Sequence, residues 1–170
     1  MNIAAQQFLK GYEALQKQLS LKTQELEEKG IPPFIHLEIT ESVLMNDDLE
    51  LIERLHAIKR LGYPLLLDDF GTGYSSLSYL KRFPIDKLKV DKSFVMGMLQ
   101  DDEDCALVEA IISMAHALNL KVVSEGVESA AHAEALKALG SELAQGYFYA
   151  KPLPAEDFIA FVKRHCTRPS

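Results

Sequence analysis

The sequence predicts an α/β domain with a parallel sheet. Two observations carry this prediction: short apolar segments alternate with longer segments in which apolar residues recur at helical spacing, and several of the apolar segments turn polar at their carboxyl ends. Parallel strands need a crossover between them, usually a helix, so the alternation favours parallel pairing. Because no low-complexity linker interrupts it, we predict that residues 1–170 form a single domain.

The first half of the chain contains two helical patterns and a buried strand after a strand stub at 1–4. Residues 8–29 predict an amphipathic helix, which Gly30 and the prolines that follow it stop. FIHLEIT at 34–40 is typical of a buried strand that ends in polar residues. Residues 47–61 begin with acidic side chains, which favour a helix N-terminus, and end before a glycine suited to a helix C-cap.

The second half of the chain repeats the alternation. LLLDDF at 65–70 predicts a strongly apolar strand that turns acidic, and GTGYSSLSYLKRF at 71–83 predicts a glycine-rich turn leading into a short helix. Residues 101–118 begin with acidic residues and predict a helix that packs through Leu107 and the apolar residues at helical spacing from it. By the same criteria the remaining elements are strands at 87–91, 121–125 and 143–149 and helices at 129–139 and 155–165.

Composition and charge exclude several classes of protein. With 48% apolar and 25% charged residues, the chain has the profile of a globular domain rather than of a disordered chain. A formal net charge of -7 disfavours binding to nucleic-acid polymers. We expect no membrane segment in this chain. Cys105 and Cys166 form no CxxC pair, so we expect a reduced, cytoplasmic protein, or the cytoplasmic part of a longer, membrane-bound protein.

Charged and amide residues lie at or near the carboxyl ends of the predicted strands. Any one of them is more often a solvated loop residue, but a set on successive strands predicts a site, because burying unpaired carboxylates is costly. Both (β/α) barrels and doubly wound sheets place ligands at this edge, so the position leaves both folds open. The residues in question are Glu38, Asp68, Asp69, Lys89, Glu125 and Gln145.

Carboxylates that converge from several strands favour hard divalent cations. They repel one another and raise one another's pKa unless cations neutralise them, and oxygen ligands suit Mg²⁺ or Mn²⁺ rather than zinc. The adjacent pair Asp68 and Asp69 could serve two ions, which together clamp a phosphodiester. Lys89 would then hold the attacking water or a phosphoryl oxygen; the alternative is that it forms an ion pair with a neighbouring carboxylate. His36 shares the parity of Glu38 but is predicted to be a hydrogen-bonded core histidine.

Five sequence blocks, in order and over essentially the whole chain, resemble EAL domains. These are bacterial phosphodiesterases that open cyclic di-GMP to the linear dinucleotide pGpG, and DDFGTGYSSL is the most specific block. The resemblance implies a (β/α)8, TIM-barrel-like EAL fold whose first strand is antiparallel. The blocks are LEITES at 37–42, LLLDDFGTGYSSLSYL at 65–80, LKVDKSFV at 88–95, SEGVE at 124–128 and QGYFYAKPLP at 145–154.

The resemblance also implies a role for each site residue. Metal ligands are expected at Asn2, Glu38, Asp68, Asp69 and Glu125, with two Mg²⁺ or Mn²⁺ ions as cofactors. Asn2 is the weaker match, since Ala4 stands where the family has a small hydroxyl residue. Catalytic roles are expected for Glu125, which resembles the family's candidate general base, for Lys89, which resembles the lysine on the attacking water, and for Asp69.

Substrate and loop contacts complete these expectations. Gln145 resembles the glutamine that helps organise the site, and with Asp68 and Lys89 it is expected to bind cyclic di-GMP. Thr40 and Glu41 resemble residues that brace the GTGYSS loop, which in this family couples dimerisation to metal binding, and Glu128 is assigned to the same group.

The chain departs from the family in lacking the E-x-L motif and the arginine that follows it. With five strands and a stub, we predict about six of the eight strands, hence an incomplete, N-terminally truncated domain. A fragment of a longer protein, a natural truncation and a partner chain that supplies the missing part all remain open. An incomplete barrel leaves two sheet edges unpaired, so we expect a homodimer or a strand-exchanged oligomer and impaired catalysis.

Two functions therefore compete, while a third, a metal-dependent barrel that acts on another phosphoester, explains the carboxylates but not the full series of motifs. The first is metal-dependent hydrolysis of cyclic di-GMP, placed by the resemblance downstream of a sensor or GGDEF domain. The second is a non-catalytic module that binds cyclic di-GMP or a protein partner and acts as a receptor.

Overall fold

A six-stranded parallel sheet with flanking helices forms the core of the protein, as a computed structural model of the chain shows. The structure describes residues 2–3, 5–28, 36–41, 49–71 and 80–165, and the statements below concern these residues. None of the helices in these ranges is both long and apolar enough to span a bilayer.

The described strands and helices alternate along the chain, as the sequence predicts. The strands are β1 (Asn2–Ile3), β2 (Leu37–Thr40), β3 (Leu65–Phe70), β4 (Lys87–Val90), β5 (Lys121–Ser124) and β6 (Leu143–Ala144). The helices are α1 (Ala5–Glu28), α2 (Leu49–Arg60), α3 (Lys92–Gly97), α4 (Asp102–Ala117), α5 (Ala130–Ala138) and α6 (Ala155–His165).

Every described strand pairs in parallel with the next described strand in the sequence, and the spatial order is β1-β2-β3-β4-β5-β6. This order, in which each strand is added on the same side of the last, is that of a (β/α) barrel rather than of a doubly wound sheet, in which the order reverses. The two outermost described strands, β1 and β6, have only two residues each. The α/β class and the incomplete TIM-barrel-like fold are thus confirmed.

One face of the sheet carries the hydrophobic core. Strand side chains alternate between the two faces, and one set of alternate residues packs with the buried residues of the helices into a continuous cluster. In α2 the contributing residues, Leu51, Leu55 and Ile58, recur at helical spacing and are fully buried. The strand residues of the cluster are Leu37, Ile39, Leu65, Leu67, Phe70, Leu88, Val90 and Val122.

The opposite face of the sheet carries the polar residues. The residues that lie between the core-facing positions of the central strands point to this other side, and all the polar ones among them except the exposed Lys121 are buried or partly buried. Because side chains alternate within each strand, one face of the sheet packs into the core and the other face presents the groups that are able to carry out chemistry. On this second face lie Glu38, Thr40, Leu66, Asp68, Lys87, Lys89, Lys121 and Val123.

The structure differs from the predicted elements at the end of the sheet. The predicted strand at 143–149 ends at Ala144, because the chain turns over the preceding loop: the Phe148 N–H donates to the Val127 carbonyl (3.0 Å), and the Tyr149 N–H donates to the Gly146 carbonyl (3.1 Å). The predicted strand at 143–149 was therefore too long.

Three further differences concern the helices. Helix α1 begins at Ala5, three residues before the predicted start, and α3 was not predicted at all. In α4 the packed side runs through Val108, which is fully buried, while Leu107 remains 39% exposed, so the prediction for Leu107 was wrong. Most of the helix predicted at 71–83 lies outside the described residues.

Candidate functional site

Lys89 is the centre of a charged cluster on the polar face of the sheet. Its Nζ atom lies 2.9 Å from Asp68 Oδ1, 2.5 Å from Glu125 Oε1 and 3.4 Å from Glu38 Oε2. The side chain of Lys89 is only 5% exposed, whereas the side chains of Asp68, Glu125 and Glu38 are 10%, 19% and 30% exposed. The structure thus brings together four residues that the sequence places on four different predicted strands.

Strand register explains why these side chains meet. Thr40 in β2 is the register partner of Asp68 in β3, so Glu38 lies on the same face, one pair of residues earlier. In β4, Lys89 is the register partner of Val123 in β5, and Glu125 follows Val123 by two residues. The Glu125 N–H donates to the Val90 carbonyl (3.2 Å), so the chain remains paired where this carboxylate emerges.

The charge of Lys89 is firmly held by this cluster. Burial opposes its charged form, but the hydrogen bonds to the carboxylates of Glu125 and Asp68 outweigh this penalty and raise the pKa of Lys89 above its usual value. Lys89 therefore forms the ion pairs that were predicted as the alternative to its contact with the attacking water.

Asp69 lies next to Asp68 of the cluster and has an unusual backbone conformation. Its φ angle of 57° lies in the left-handed region, which is uncommon for a residue other than glycine, and the register between β3 and β4 shifts between Leu67 and Phe70. Burial, and then the neighbouring carboxylates of Asp68 and Asp91, raise the pKa of Asp69 above its ordinary value. The expectation that clustered carboxylates raise one another's pKa is confirmed at this residue.

Glu41 contacts the first residue of the predicted GTGYSS loop. One of its carboxylate oxygens accepts a hydrogen bond from the Gly71 N–H (3.2 Å), and the Glu41 residue is only 6% exposed. Gly71 has a φ of 100°, which favours glycine, and a Cβ there would make tight contacts with Phe94 (3.1 Å) and Ile111 (3.3 Å). The residues of the loop from 72 to 79 lie outside the described part of the chain, so the bracing role of Thr40 and Glu41 stays a prediction.

A cleft of about 390 Å³ lies beside the charged cluster and shares Glu125 with it. Gln145 lines this cleft, and so does Glu128, which is exposed. The cleft also contains residues that were not predicted from the sequence; they come from α3, from the turn after β5 and from the turn after β6. These additional residues are Lys92, Met96, Gly126, Gly146 and Tyr147.

Asn2 lies in β1 as the register partner of Glu38, but its side chain is outside the described part of the structure, so its role as a ligand stays a prediction.

The prediction for His36 was wrong: it is exposed rather than in the core, and both of its ring nitrogens lie 3.4 Å from Lys87 Nζ. Burial, together with the charge of Lys87, lowers the pKa of His36.

The donor chemistry of the cluster fits a hard divalent cation. All the acidic groups offer carboxylate oxygens, and neither histidine nor cysteine stands among them, which favours Mg²⁺ or Mn²⁺ over zinc. Within the described residues no three His, Cys, Asp or Glu side chains are already arranged around a common metal position. The Lys89 ammonium lies among the carboxylates instead, and with four carboxylates against one ammonium the cluster retains three formal negative charges.

Comparison with known proteins identifies the family. Residues 3–152 match the model of the EAL domain. The chain belongs to the EAL domain family. It is 44% identical over 141 residues to the cyclic di-GMP phosphodiesterase NbdA of Pseudomonas aeruginosa, an alignment that covers 82% of this chain and 18% of NbdA. The chain spans about a fifth of the length of the curated relatives it matches.

Solved EAL structures have the same architecture. The structure of the phosphodiesterase PaMucR in complex with c-di-GMP superposes with a TM-score of 0.76 and 37% identity, over 92% of this chain and 62% of that chain. The manganese and cyclic di-GMP complex of BlrP1 from Klebsiella pneumoniae superposes with a TM-score of 0.73 and 29% identity, over 89% of this chain and 38% of that chain. The EAL resemblance seen in the sequence blocks is thus confirmed.

Proposed function

We propose that this EAL domain hydrolyses cyclic di-GMP to the linear dinucleotide pGpG in bacterial second-messenger signalling. The observation that carries the proposal is the convergence of Glu38, Asp68 and Glu125, from three different strands, on the buried ammonium of Lys89. Membership of the family supports it, since relatives such as NbdA are named cyclic di-GMP phosphodiesterases.

The residual negative charge of the cluster supports a requirement for divalent metal ions, and we propose two Mg²⁺ or Mn²⁺ ions. Asn2, Glu38, Asp68, Asp69 and Glu125 would hold them, and the manganese complex of the related BlrP1 is consistent with this choice of metal. When bound, such ions polarise the phosphodiester and lower the pKa of a bound water.

The chain's own residues supply the remaining chemistry. Attack by water on one phosphorus forms a new P–O bond and breaks the bond to the 3′ oxygen, which takes up a proton from solvent and leaves as the free 3′ hydroxyl of pGpG. Glu125, directly after β5, would accept the proton of the water. Lys89 is held charged and buried beside it, where it can orient the attacking water or a phosphoryl oxygen. Gln145, in the adjoining cleft, would position the substrate.

Hydrolysis of cyclic di-GMP by the full chain tests this proposal. The chain is incubated with cyclic di-GMP and either Mg²⁺ or Mn²⁺, and pGpG is separated by chromatography. We expect turnover that requires the metal and is lost in Asp68→Asn, which keeps the shape of the side chain but removes its charge. Glu109→Gln is the matched control, because Glu109 is exposed on α4, away from the cluster. Turnover that survives in Asp68→Asn contradicts the proposal.

A non-catalytic receptor for cyclic di-GMP is the second candidate. The observation that favours it is that Lys89 already balances part of the charge of the cluster through three ion pairs. A receptor would bind cyclic di-GMP and release no pGpG in either metal, so the same experiment, combined with a binding measurement, separates the two functions.

A further inference from the structure

A groove of about 410 Å³ lies at the outer edge of the described sheet, between the last strand, β6, and helix α5. It shares no lining residue with the cleft beside the charged cluster, so it is a separate feature of the surface. Its apolar lining comes from Ala133 and Leu136 of α5, from Leu143 of β6 and from Tyr149 in the turn after β6.

Large apolar side chains at this edge are exposed. Leu143 is 42% exposed and Tyr149 is 48% exposed, and the Phe148 ring packs edge-on against the Tyr149 ring with 5.1 Å between the ring centres. Single apolar residues on a surface need no partner, but a contiguous group of them marks an interaction site. The group at β6 therefore has the apolar character of an interface.

The backbone of β6 is also open on this side. The Gln145 N–H donates to the Ser124 carbonyl of β5 (2.8 Å), and alternate residues of a parallel strand bond to the same neighbour, so Ala144 directs its own N–H and C=O away from β5. Among the described strands β6 pairs only with β5, and it contains neither the lysine nor the proline that commonly protects an edge. The edge can therefore accept hydrogen bonds from another chain and donate one to it.

Two opposite charges line the groove without an ion-pair partner among the described residues. They belong to Glu134 and Lys137, which are both exposed and lie one turn apart on α5. In a two-fold symmetric interface the same surface of both copies is in contact, so Glu134 of each copy can face Lys137 of the other. A groove that carries both charges is thus complementary to itself, which an unrelated partner would not require.

We infer that this groove binds a second copy of the chain about a two-fold axis at Ala144. There the Ala144 N–H of each copy donates to the Ala144 carbonyl of the other, as in a hydrogen-bonded pair of antiparallel strands. Leu143 and Tyr149 form the apolar centre of the interface, and the pairs between Glu134 and Lys137 form its rim. The inference is independent of the proposed function, and it assigns a surface to the homodimer expected from the sequence.

Reversal of one charge tests the two-fold arrangement. Lys137→Glu brings like charges together at two symmetric positions, so the dissociation constant of the dimer should rise at least about fivefold, and Glu134→Lys should have the same effect. The double variant exchanges the two charges and restores their complementarity, so it should dimerise as the wild-type chain does. Lys17→Glu is the matched control, because Lys17 is exposed on α1, which connects β1 and β2 at the opposite end of the sheet.

Sedimentation velocity of the full chain over a range of concentrations at low salt measures these constants, and circular dichroism checks that each variant is folded. Tyr149→Ser tests the apolar centre separately: its dimer should remain weakened at high salt, where the effect of the charge reversals should diminish. A wild-type chain that stays monomeric at every concentration overturns the inference. A dimer that both single charge variants form with wild-type affinity, or that the double variant fails to restore, overturns it as well.

Discussion

Replacing Lys89 by methionine tests the ion cluster through the stability of the protein. Methionine matches the unbranched lysine side chain as far as Cε but removes the ammonium that contacts Glu38, Asp68 and Glu125. Removing one partner of a buried ion pair costs about 3–5 kcal/mol, because the other charge stays buried without compensation. Since Glu38 and Glu125 are 30% and 19% exposed, water relieves part of this penalty, and we expect a loss near the lower limit, about 3 kcal/mol.

Urea denaturation and a thermal melt measure this effect. For a domain of this size a loss of about 3 kcal/mol lowers Tm by roughly 6–12 °C. Lys87→Met is the matched control, because Lys87 lies two residues earlier in the same strand but faces the His36 ring instead of a carboxylate, so its loss should change stability by less than about 0.5 kcal/mol. Equal stability of Lys89→Met and wild type, or equal losses in both variants, would refute the reasoning.

Two further predictions concern the segments that frame the site. Gly146→Ala should lower the free energy of unfolding by about 1–3 kcal/mol, because its Cβ would lie 2.1 Å from the Val127 carbonyl oxygen. Gly11→Ala in α1 should instead raise the free energy of unfolding by about 0.5–1 kcal/mol, because nothing lies within 4 Å of the added Cβ. Urea denaturation that ranks the two variants the other way contradicts this packing. Burial opposes the charge of Glu142, but the hydrogen bond from the Val122 N–H (2.8 Å) helps to hold the pKa of Glu142 below its ordinary value. The ionised Glu142 should thus stabilise the folded protein above about pH 4.3, the pKa in the unfolded chain, and this stabilisation should be lost as the pH falls through the lower pKa of the folded protein. Urea denaturation at several pH values should show that the free energy of unfolding depends less on pH in Glu142→Gln than in the wild-type chain. An identical pH dependence in the two proteins would count against this contribution.

The order of strands and helices was predictable because it depends on local patterns. The strand LLLDDF and the helix that contains Leu51, Leu55 and Ile58 each carry an apolar pattern that predicts burial without knowledge of the elements that pack against them. The missed features depend instead on tertiary contacts. Helix α3 has six residues, too few for a periodic pattern, and is recognisable locally only by the Asp91 cap, whose carboxylate accepts from the Ser93 N–H.

The site was predictable to the extent that it depends on strand ends. Glu38, Asp68, Lys89 and Glu125 could be assigned together because parallel strands bring their carboxyl ends to one edge. The cleft could not, since Lys92, Met96 and Tyr147 come from elements that the patterns did not define. Leu107 was misassigned for a related reason: in a helix rich in apolar residues, the face that is buried is decided by the sheet against which it packs, and the structure selects Val108.

A calorimetric titration with Mn²⁺ asks directly whether oxygens gathered from separate strands form a cation site. The full chain is titrated alongside Asp68→Asn and, as a control for the loss of one charge, Asp157→Asn, a change at an exposed position on α6. We expect saturable binding in the wild-type chain and in the control, and binding weakened at least about tenfold in Asp68→Asn. The absence of binding heat in the wild-type chain, or equal affinity in Asp68→Asn, would contradict the account.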